Sequence, residues 1–525
     1  MNSLLLTDGY KVGHKFQYPE GTSLVYSTWT PRKSRNPNIT KVVHFGLQRF
    51  IIKWLIDHLN ENFFSLPYKE AVGSYKEFMD EYLGKDSVDV EHIGRLHKLG
   101  YLPLQIKSLP EGTQVPMRVA AVTIVNTDPD FYWLTNYIET LMSCELWGPS
   151  TSATTAFEYK KILTKWAKKT GADLNFIPFQ AHDFSMRGMF GVEAAILSGI
   201  GHITSFVGTD TIPAILEVTR YYPNSAPSLI GCSVPATEHA VMCAGGKEDE
   251  IDTFRRLITK VYPEGIVSVV SDTWDLWKVL TEYLPELKQE ILARNGKLVI
   301  RPDSGDPVDI ICGDAWRVQG FTEGVLNKVG ENGVVLNYTD NKYYKVKLNS
   351  NHEVYGEETT DVTPTNKGVI ELLWDTFGGT INEQGFKVLD PHIGAIYGDS
   401  ITLERCDQIC EKLAAKGFAS SNIVFGVGSF TYTYTTRDQY GFAMKATYCE
   451  VNGTGFDIFK DPKTDDGTKK SAKGRVMVYE ENGELYMKDQ CTEEEENSGL
   501  LETVFLNGQL VKMQRFSDIR ERLTL

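Results

Sequence analysis

The chain has 525 residues, of which 42% are hydrophobic and 23% charged, a composition usual for soluble globular proteins large enough for two or more domains. Its formal net charge of −15 repels phosphate backbones and anionic lipid surfaces, which argues against nucleic acid and membranes as general partners. The first 15 residues hold only one short apolar run, LLL, and no later stretch is long enough to span a membrane, so we expect a cytoplasmic protein.

Residues 1–150 mix strand-like runs such as SLVYSTWT and AAVTIVNT with helical ones such as GLQRFIIKWLIDHL. Beyond residue 440 the chain returns to short strands, among them the hairpin pattern GRVMVYEENGELYMK with its Asn-Gly turn. We predict that 1–150 and 441–525 together form one α+β domain.

Residues 151–440 alternate β-branched runs with amphipathic segments, the pattern of βα units around a parallel sheet. This part is predicted to be an α/β barrel, with a small β-meander inserted at about 321–355. The candidate strands are NFIPF near Phe176, HITSFV near Thr204, SLIGCSV near Gly231, GIVSVV near Val267, KLVI near Val299, IGAIY near Ala395 and NIVFGV near Val424.

Polar residues follow each of these runs, in the order QAHDFSMRG, GTDT, PATEHA, SDTWD, RPDSGD, GDS and GSF. One charged turn after a strand is ordinary surface chemistry. In a barrel, however, the loops at the carboxyl ends of the strands converge on the face that carries active sites. The repeated clusters therefore predict an active site there.

The residue types in these clusters suit a small polar ligand. Phe184 and Arg187 offer an aromatic face and a guanidinium to a planar heterocycle, although a core Phe beside a surface Arg is the alternative. Asp303 and Asp399 suit sugar hydroxyls or hydrated Mg²⁺. The glycines of FGVGS, including Gly428, suit a phosphate.

His239 directly follows Glu238 at a predicted strand end, where a carboxylate beside imidazole would support acid/base or nucleophilic chemistry. A structural histidine is the alternative. The segment FKDPKTDDGTKKSAKGR, with Lys460 and Lys469, is either a solvated charged loop or an anion-binding loop. The eight cysteines include no CxxC pair, and we expect all of them to be reduced, with Cys406 and Cys410 as buried thiols.

Taken together, the motifs resemble the nicotinamide phosphoribosyltransferases. The resemblance runs in family order from Asp8 to about Arg520, through LLTDGYKVGHKFQYPEGTSLVYS, NTDPDFYWLTNYIET, HDFSMRG, FVGTDT, SVPATEH, VSVVSDTWD, IRPDSGDP, YGD, FKDP and KGR. It implies an irregular type II phosphoribosyltransferase barrel with an α+β domain. It also implies condensation of nicotinamide with phosphoribosyl pyrophosphate, Mg²⁺ as cofactor, ATP as co-substrate, and a homodimer with shared active sites.

By this resemblance Phe184 stacks on the nicotinamide ring and Tyr10 of a second subunit closes the other face. Arg187, Asp210 and Arg301 orient the ring and its carboxamide. Asp210 is the expected specificity residue, because a carboxylate accepts an amide N–H and repels the carboxylate of nicotinic acid.

The resemblance also makes His239 the histidine that ATP phosphorylates, with Glu238, Asp272 and Asp303 acting catalytically near it. It assigns ribose or phosphate binding to a larger set, namely Asp8, Arg32, Asp303, Gly398, Asp399, Gly428, Ser429, Arg437, Lys445, Lys460 and Lys469. Two features depart from the family pattern: Ser429 stands where a glycine is usual, and the meander is an insertion.

Three other functions compete with this interpretation. Nicotinate phosphoribosyltransferase shares the fold and chemistry, but Asp210 argues against it. A Schiff-base aldolase needs a lysine at a strand end, and the seven clusters hold none. A binding protein that has lost turnover is disfavoured because His239, Arg301 and Asp303 are all present.

Overall fold

The computed structural model describes residues 1–223, 229–398, 400–459 and 472–525. Six parallel strands form the barrel sheet, in the spatial order β2-β1-β6-β5-β4-β3. The strands are β1 (Ala181–Asp183), β2 (Gly208–Thr209), β3 (Glu264–Val270), β4 (Asn295–Arg301), β5 (Ile393–Tyr397) and β6 (Ile423–Val427).

Residues 232–236 close this sheet between its two edge strands. Cys232 exchanges backbone hydrogen bonds with Val207 and Thr209 beside β2, at 2.7 and 3.0 Å. At the other edge, Ser268 of β3 donates to Pro235 and accepts from Thr237, at 2.9 and 3.0 Å. This closing segment makes only isolated bridges, so the barrel is irregular.

The prediction of an α/β barrel with an added α+β domain is confirmed, and β3 to β6 lie where the sequence places them. Three predicted strands are wrong. NFIPF forms the 3₁₀ helix Leu174–Phe179, because Pro178 has no N–H to give to a ladder. HITSFV is the buried end of the helix Val192–His202 and its following turn, since a short apolar run does not distinguish strand from helix. The third is SLIGCSV, whose described residues 229–234 form no strand and make a single bridge, at Cys232 in the closing segment.

A seven-stranded antiparallel sheet combines both ends of the chain, as predicted. Its strands, in spatial order, are Thr454–Asp457, Ala443–Val451, Thr22–Thr30, Val122–Asn126, Leu104–Ser108, Glu502–Leu506 and Gln509–Leu510. The predicted hairpin pairs Arg475–Glu481 with Glu484–Cys491 around Asn482 and Gly483, whose φ angles of +53° and +77° are those of a type I′ turn.

The insertion is a four-stranded sheet of Trp316–Val318, Val334–Asn337, Lys342–Leu348 and Val354–Glu358. The last three strands form a meander, while the first pairs in parallel with the second across the helix Glu323–Val329. Two small sheets complete the fold, from Lys41–Val43 with Gln114–Pro116 and from Gly379–Ile381 with Lys387–Leu389.

The helix Glu139–Thr170 is the longest described and contacts both the terminal and the barrel cores. Other helices of nine or more residues are Tyr68–Leu83, Glu91–Leu99, Val192–His202, Ile212–Tyr221, Val369–Phe377 and Leu403–Ala415. The shorter α-helices are His14–Gln17, Leu47–Phe50, Leu134–Tyr137, His239–Ala244, Glu250–Arg256, Leu276–Lys278, Leu284–Glu286, Lys288–Leu292, Pro307–Cys312, Glu323–Val329, Pro364–Lys367, Ser429–Thr433, Glu493–Asn497 and Phe516–Arg522.

A buried ion-pair network joins the terminal domain to the barrel helices. The guanidinium of Arg49, which is 1% exposed, lies 2.7 Å from Glu145 and 2.6 Å from Glu217, and also pairs with Glu193. Because three carboxylates from different helices meet one buried cation, this contact fixes how these helices pack.

None of the described helices combines the length and apolarity needed to cross a membrane. All eight cysteines are free thiols, and Cys406 and Cys410 are buried.

Candidate active site

The carboxyl ends of the barrel strands surround a cavity of about 300 Å³. Several predicted site residues meet there although they are far apart in the chain. The lining consists of Phe184, Met186, Arg187, Asp210, Ala236, Thr237, Glu238, Arg301, Asp303 and Gly398. A second cavity of about 380 Å³ continues inside the barrel and shares Phe184, Asp210 and Ala236 with the first.

The turn after β1 fixes Phe184 at the cavity wall. The Phe184 N–H donates to the carbonyl of Val427 at 2.9 Å. The buried carboxylate of Asp183 accepts from the N–H and hydroxyl of Ser185, at 2.9 and 2.6 Å, and so starts the 3₁₀ turn that carries Arg187. The ring of Phe184 and the guanidinium of Arg187 are therefore carried by one turn, which the hydrogen bonds of Asp183 stabilise.

Asp210 follows β2 and lies half-exposed in the cavity wall. Its Oδ1 lies 2.8 Å from His182 Nε2 and accepts from the Ser233 hydroxyl at 2.5 Å. Burial alone would raise the pKa of this carboxyl, but the hydrogen bonds from His182 and Ser233, helped by Arg301, bring it below its ordinary value. Asp210 is thus an anion in the site.

Arg301 ends β4 and points into the same cavity. Its Nη2 donates to the carbonyl of Thr237. Burial lowers the pKa of the guanidinium from its ordinary value, while Asp303 and Asp210 act in the opposite direction. An arginine remains charged under these conditions, so the cavity is lined by this cation together with the carboxyl groups of Asp210 and Asp303.

The RPDSGD loop is held by Asp272 rather than by its own turn residues alone. Asp272 Oδ2 accepts from the backbone N–H groups of Asp303 and Ser304, both at 2.8 Å, and from the Ser304 hydroxyl at 2.5 Å. Gly398 lies against this loop: a Cβ there would stand 2.6 Å from Asp303 Oδ1. Asp303 therefore packs directly on the backbone after β5.

His239 begins a short helix beside the cavity, and its side chain is about half-exposed. Its Nδ1 lies 3.3 Å from the Thr273 hydroxyl, and its Nε2 lies 3.8 Å from Asp303 Oδ2. The ring thus faces Thr273 and Asp303, while the Glu238 side chain lines the cavity. Asp272 accepts a hydrogen bond from the backbone of Asp303, and it is the Asp303 side chain that lies near the imidazole.

Three of the predicted phosphate-binding cations, Arg32, Arg437 and Lys445, lie near one another. Lys445 lies opposite Thr28 in the antiparallel sheet. Burial lowers the pKa of the Lys445 ammonium; the Glu139 carboxylate acts in the opposite direction, while the charges of Arg32, Lys11 and Arg437 lower the pKa further. The cations of this group repel one another, and Glu139, which pairs with Lys11, offsets part of their charge.

Two predicted residues, Asp8 and Tyr10, lie at the start of the chain on either side of Gly9, and the ammonium of Lys11 lies 5.2 Å from the centre of the Tyr10 ring. Asp8 accepts from the Thr140 hydroxyl at 2.7 Å. Tyr10 is 62% exposed and makes an edge contact with His14, with ring centroids 5.1 Å apart. Within the part of the chain that the structure describes, neither residue lines the two barrel cavities.

Gly428 and Ser429 lie at the end of β6, where the helix Ser429–Thr433 begins. Ser429 packs on Gly188, where a Cβ would be 2.1 Å from the serine oxygen. The serine that departs from the glycine-rich pattern is thus accommodated by a glycine opposite. Asp399, Lys460 and Lys469 lie outside the described residues.

Sequence reasoning did not single out His182, Ser233 or Thr237, although all three touch predicted site residues. Each lies inside a quoted motif, HDF or SVPAT, at or beside a strand end. This position in the motifs is the feature of the sequence that could have indicated these three residues.

Comparison with known proteins agrees with this geometry. The profile of the Nicotinate phosphoribosyltransferase (NAPRTase) family matches residues 179–509, and that of the Nicotinamide phosphoribosyltransferase N-terminal domain matches residues 2–106. A nicotinamide phosphoribosyltransferase of Acinetobacter baylyi is 49% identical over 100% of this chain and 97% of its own. One of Xanthomonas campestris pv. campestris is 30% identical over 99% of this chain and 97% of its own.

Among solved structures, the nicotinate-nucleotide pyrophosphorylase of Pyrococcus furiosus superposes with a TM-score of 0.52 at 14% identity, covering 99% of this chain and 94% of its own. At that identity the likeness shows a shared fold. With the two family profiles and the full-length relatives, it leads to one conclusion: the chain belongs to the nicotinate phosphoribosyltransferase family, with the N-terminal domain of its nicotinamide phosphoribosyltransferase members.

Proposed function

We propose that this protein transfers the phosphoribosyl group of phosphoribosyl pyrophosphate to nicotinamide, giving nicotinamide mononucleotide and pyrophosphate in NAD salvage. One observation carries the choice of base: a charged Asp210 shares a cavity with the ring of Phe184 and with Arg301. The full-length relatives named nicotinamide phosphoribosyltransferase support the reaction.

The cavity suits a flat amide. The pyridine ring stacks on Phe184, and the carboxamide N–H donates to Asp210 while Arg301 and Arg187 face its carbonyl. Nicotinic acid would bring a second carboxylate against Asp210, and like charges at this distance repel. Selection of the amide therefore follows from the charge of one side chain.

Transfer needs little covalent work by the protein. As pyrophosphate leaves, positive charge grows on the anomeric carbon of the ribose, and the ring nitrogen attacks it. Asp303 and Asp399 hold the ribose hydroxyls, and the stacked base is kept within reach of the reacting carbon. Cationic side chains stabilise the leaving group electrostatically.

We assign the leaving-group cations to a partner subunit of a homodimer. Arg32, Arg437 and Lys445 lie near one another, and none of them lines the two barrel cavities of their own chain. The ring of Tyr10 is exposed. A shared active site would bring both features to the barrel mouth of the other subunit.

The residues present fit Mg²⁺ bound mainly through substrate. No three His, Cys, Asp or Glu side chains of the described residues converge as a metal cage. Mg²⁺ commonly keeps several waters and binds one or two carboxylates with substrate phosphates. Asp303 and the unpartnered, buried Oδ1 of Asp272 are available for this. The ion would neutralise charge on the departing pyrophosphate.

We further assign ATP coupling to His239. A ring nitrogen would take the γ-phosphoryl group, forming a P–N bond and releasing ADP, and later hydrolysis would release phosphate. The support is its position: the half-exposed imidazole lies beside Asp303 at the cavity edge. A His239→Ala variant should release no ADP coupled to mononucleotide formation. Coupled ADP release that persisted would remove His239 from this role.

The main test incubates the protein with Mg²⁺, phosphoribosyl pyrophosphate and equal nicotinamide and nicotinic acid, and identifies mononucleotides by mass spectrometry. Nicotinamide mononucleotide should dominate. Asp303→Ala should lose activity, whereas Asp309→Ala, six residues on and paired with Lys412 at the surface, should keep it. Nicotinic acid mononucleotide as the main product, or no product, would refute the proposal.

A further inference from the structure

The two donors to Asp210 act on the same oxygen. His182 Nε2 and the Ser233 hydroxyl both contact Oδ1, at 2.8 and 2.5 Å, and no hydrogen bond to Oδ2 is among the described contacts. A carboxylate oxygen has two lone pairs. Both lone pairs of Oδ1 are therefore engaged, and Oδ2 is the oxygen left to accept a hydrogen bond from a ligand in the cavity that Asp210 lines.

His182 also contacts the other group expected to hold the base. Its ring lies 4.5 Å from that of Phe184, centroid to centroid, with 35° between the planes. On its other side a Cβ on Gly208 would stand only 2.8 Å from His182 Nδ1, so the imidazole is wedged between β2 and Phe184. A buried ring confined in this way holds a fixed orientation.

From these contacts we propose that His182 is a positioning residue that sets discrimination between an amide and a carboxylate on the incoming base. It does so by holding Asp210 with Oδ2 free, while its ring face supports Phe184. This inference rests on the proposed function, since it concerns the same base-binding cavity.

The hydrogen bond to Asp210 determines which ring nitrogen of His182 carries the proton. An ionised carboxylate only accepts hydrogen bonds, so Nε2 must carry the proton that Asp210 receives. The hydrogen bond keeps Asp210 anionic as well as oriented. Losing this N–H would leave Oδ1 with Ser233 alone and would let the carboxylate rotate out of line with the carboxamide.

Two substitutions separate this role from simple packing. His182→Gln keeps an N–H donor near the place of Nε2 but removes the ring, and His182→Phe keeps a ring against Phe184 but removes the donor. For each variant, kcat/KM is measured with nicotinamide and with nicotinic acid, and the melting temperature is recorded to establish folding.

His182→Phe should reduce the ratio of the two kcat/KM values about 10- to 100-fold, the size of a lost hydrogen bond to a charged group. The loss should appear mainly as a higher KM for nicotinamide. His182→Gln should keep the ratio within a few-fold of wild type. Ser233→Ala, which removes the second donor, should shift the ratio in the same direction as His182→Phe.

An unchanged ratio in His182→Phe, or an equal loss in His182→Gln, would overturn the inference. If His182→Phe does not fold, an unchanged ratio in Ser233→Ala has the same consequence. The proposed function fails separately, through a wild-type protein that uses neither base or prefers nicotinic acid, and that result would overturn this inference with it.

Discussion

Gly398→Ala tests whether the position of Asp303 matters for catalysis. A Cβ at residue 398 would stand 2.6 Å from Asp303 Oδ1, where ordinary contact begins at 3.4 Å, so the carboxylate must move by about 0.8 Å. The φ angle of Gly398 is not positive, so the alanine backbone itself is unstrained. The change therefore acts through Asp303.

A misplacement of about 1 Å costs on the order of 100-fold in rate, so we expect kcat/KM to fall about 30- to 100-fold, or roughly 2 to 2.7 kcal/mol. Steady-state kinetics with nicotinamide measures this. Gly320→Ala is the matched control, because a Cβ there meets nothing within 4 Å. A folded Gly398→Ala protein with wild-type kcat/KM would refute the reasoning that places Asp303 at the reacting sugar.

Three further predictions concern stability and assembly. Arg49→Met should lower the free energy of unfolding by about 3–5 kcal/mol, seen as a lower melting temperature, because it leaves the buried Glu145 carboxylate unpaired; an unchanged melting temperature would contradict this. Burial raises the pKa of Glu250 from 4.5 to about 7, so the stability that its protonated form contributes is present below pH 4.5 and is lost as pH rises through 7. The free energy of unfolding of wild type should therefore fall relative to that of Glu250→Gln across this pH range. Parallel plots of this free energy against pH for the two proteins would argue against the prediction. Mixing inactive Tyr10→Ala and Phe184→Ala chains after joint refolding should restore roughly a quarter of wild-type activity through hybrid dimers, and no recovery would count against shared sites.

Much of the barrel could be predicted because four of its strands are β-branched runs bounded by glycine, proline or aspartate. The strands β1 and β2 could not, since each has three residues or fewer and is defined by its neighbours in the sheet. Strands are predicted instead for the neighbouring apolar runs NFIPF and HITSFV. The first contains Pro178 and forms a 3₁₀ helix, and the second lies at the end of an α-helix.

The site residues that the sequence indicated best were those with a chemistry of their own, such as Phe184 and Arg301. His182 and Ser233 contact Asp210 from 28 and 23 residues away along the chain, and these contacts form only when β1, β2 and the closing segment lie side by side. The prediction for 441–525 already places Lys445 in the terminal α+β domain, and the family resemblance implies its role in phosphate binding, but the sequence does not indicate that Thr28 is its neighbour in the sheet.

The closing segment 232–236 has a consequence for motion. Two backbone hydrogen bonds on each side attach it to the barrel, whereas β3 and β4 are paired along seven residues. Protein segments open locally in order of their own stability. Amide hydrogens of 232–236 should therefore exchange with solvent sooner than those of β4. Because Ser233 lies on this segment, each opening event would release Asp210 from one of its two donors, and a bound base that keeps the segment closed would slow the exchange.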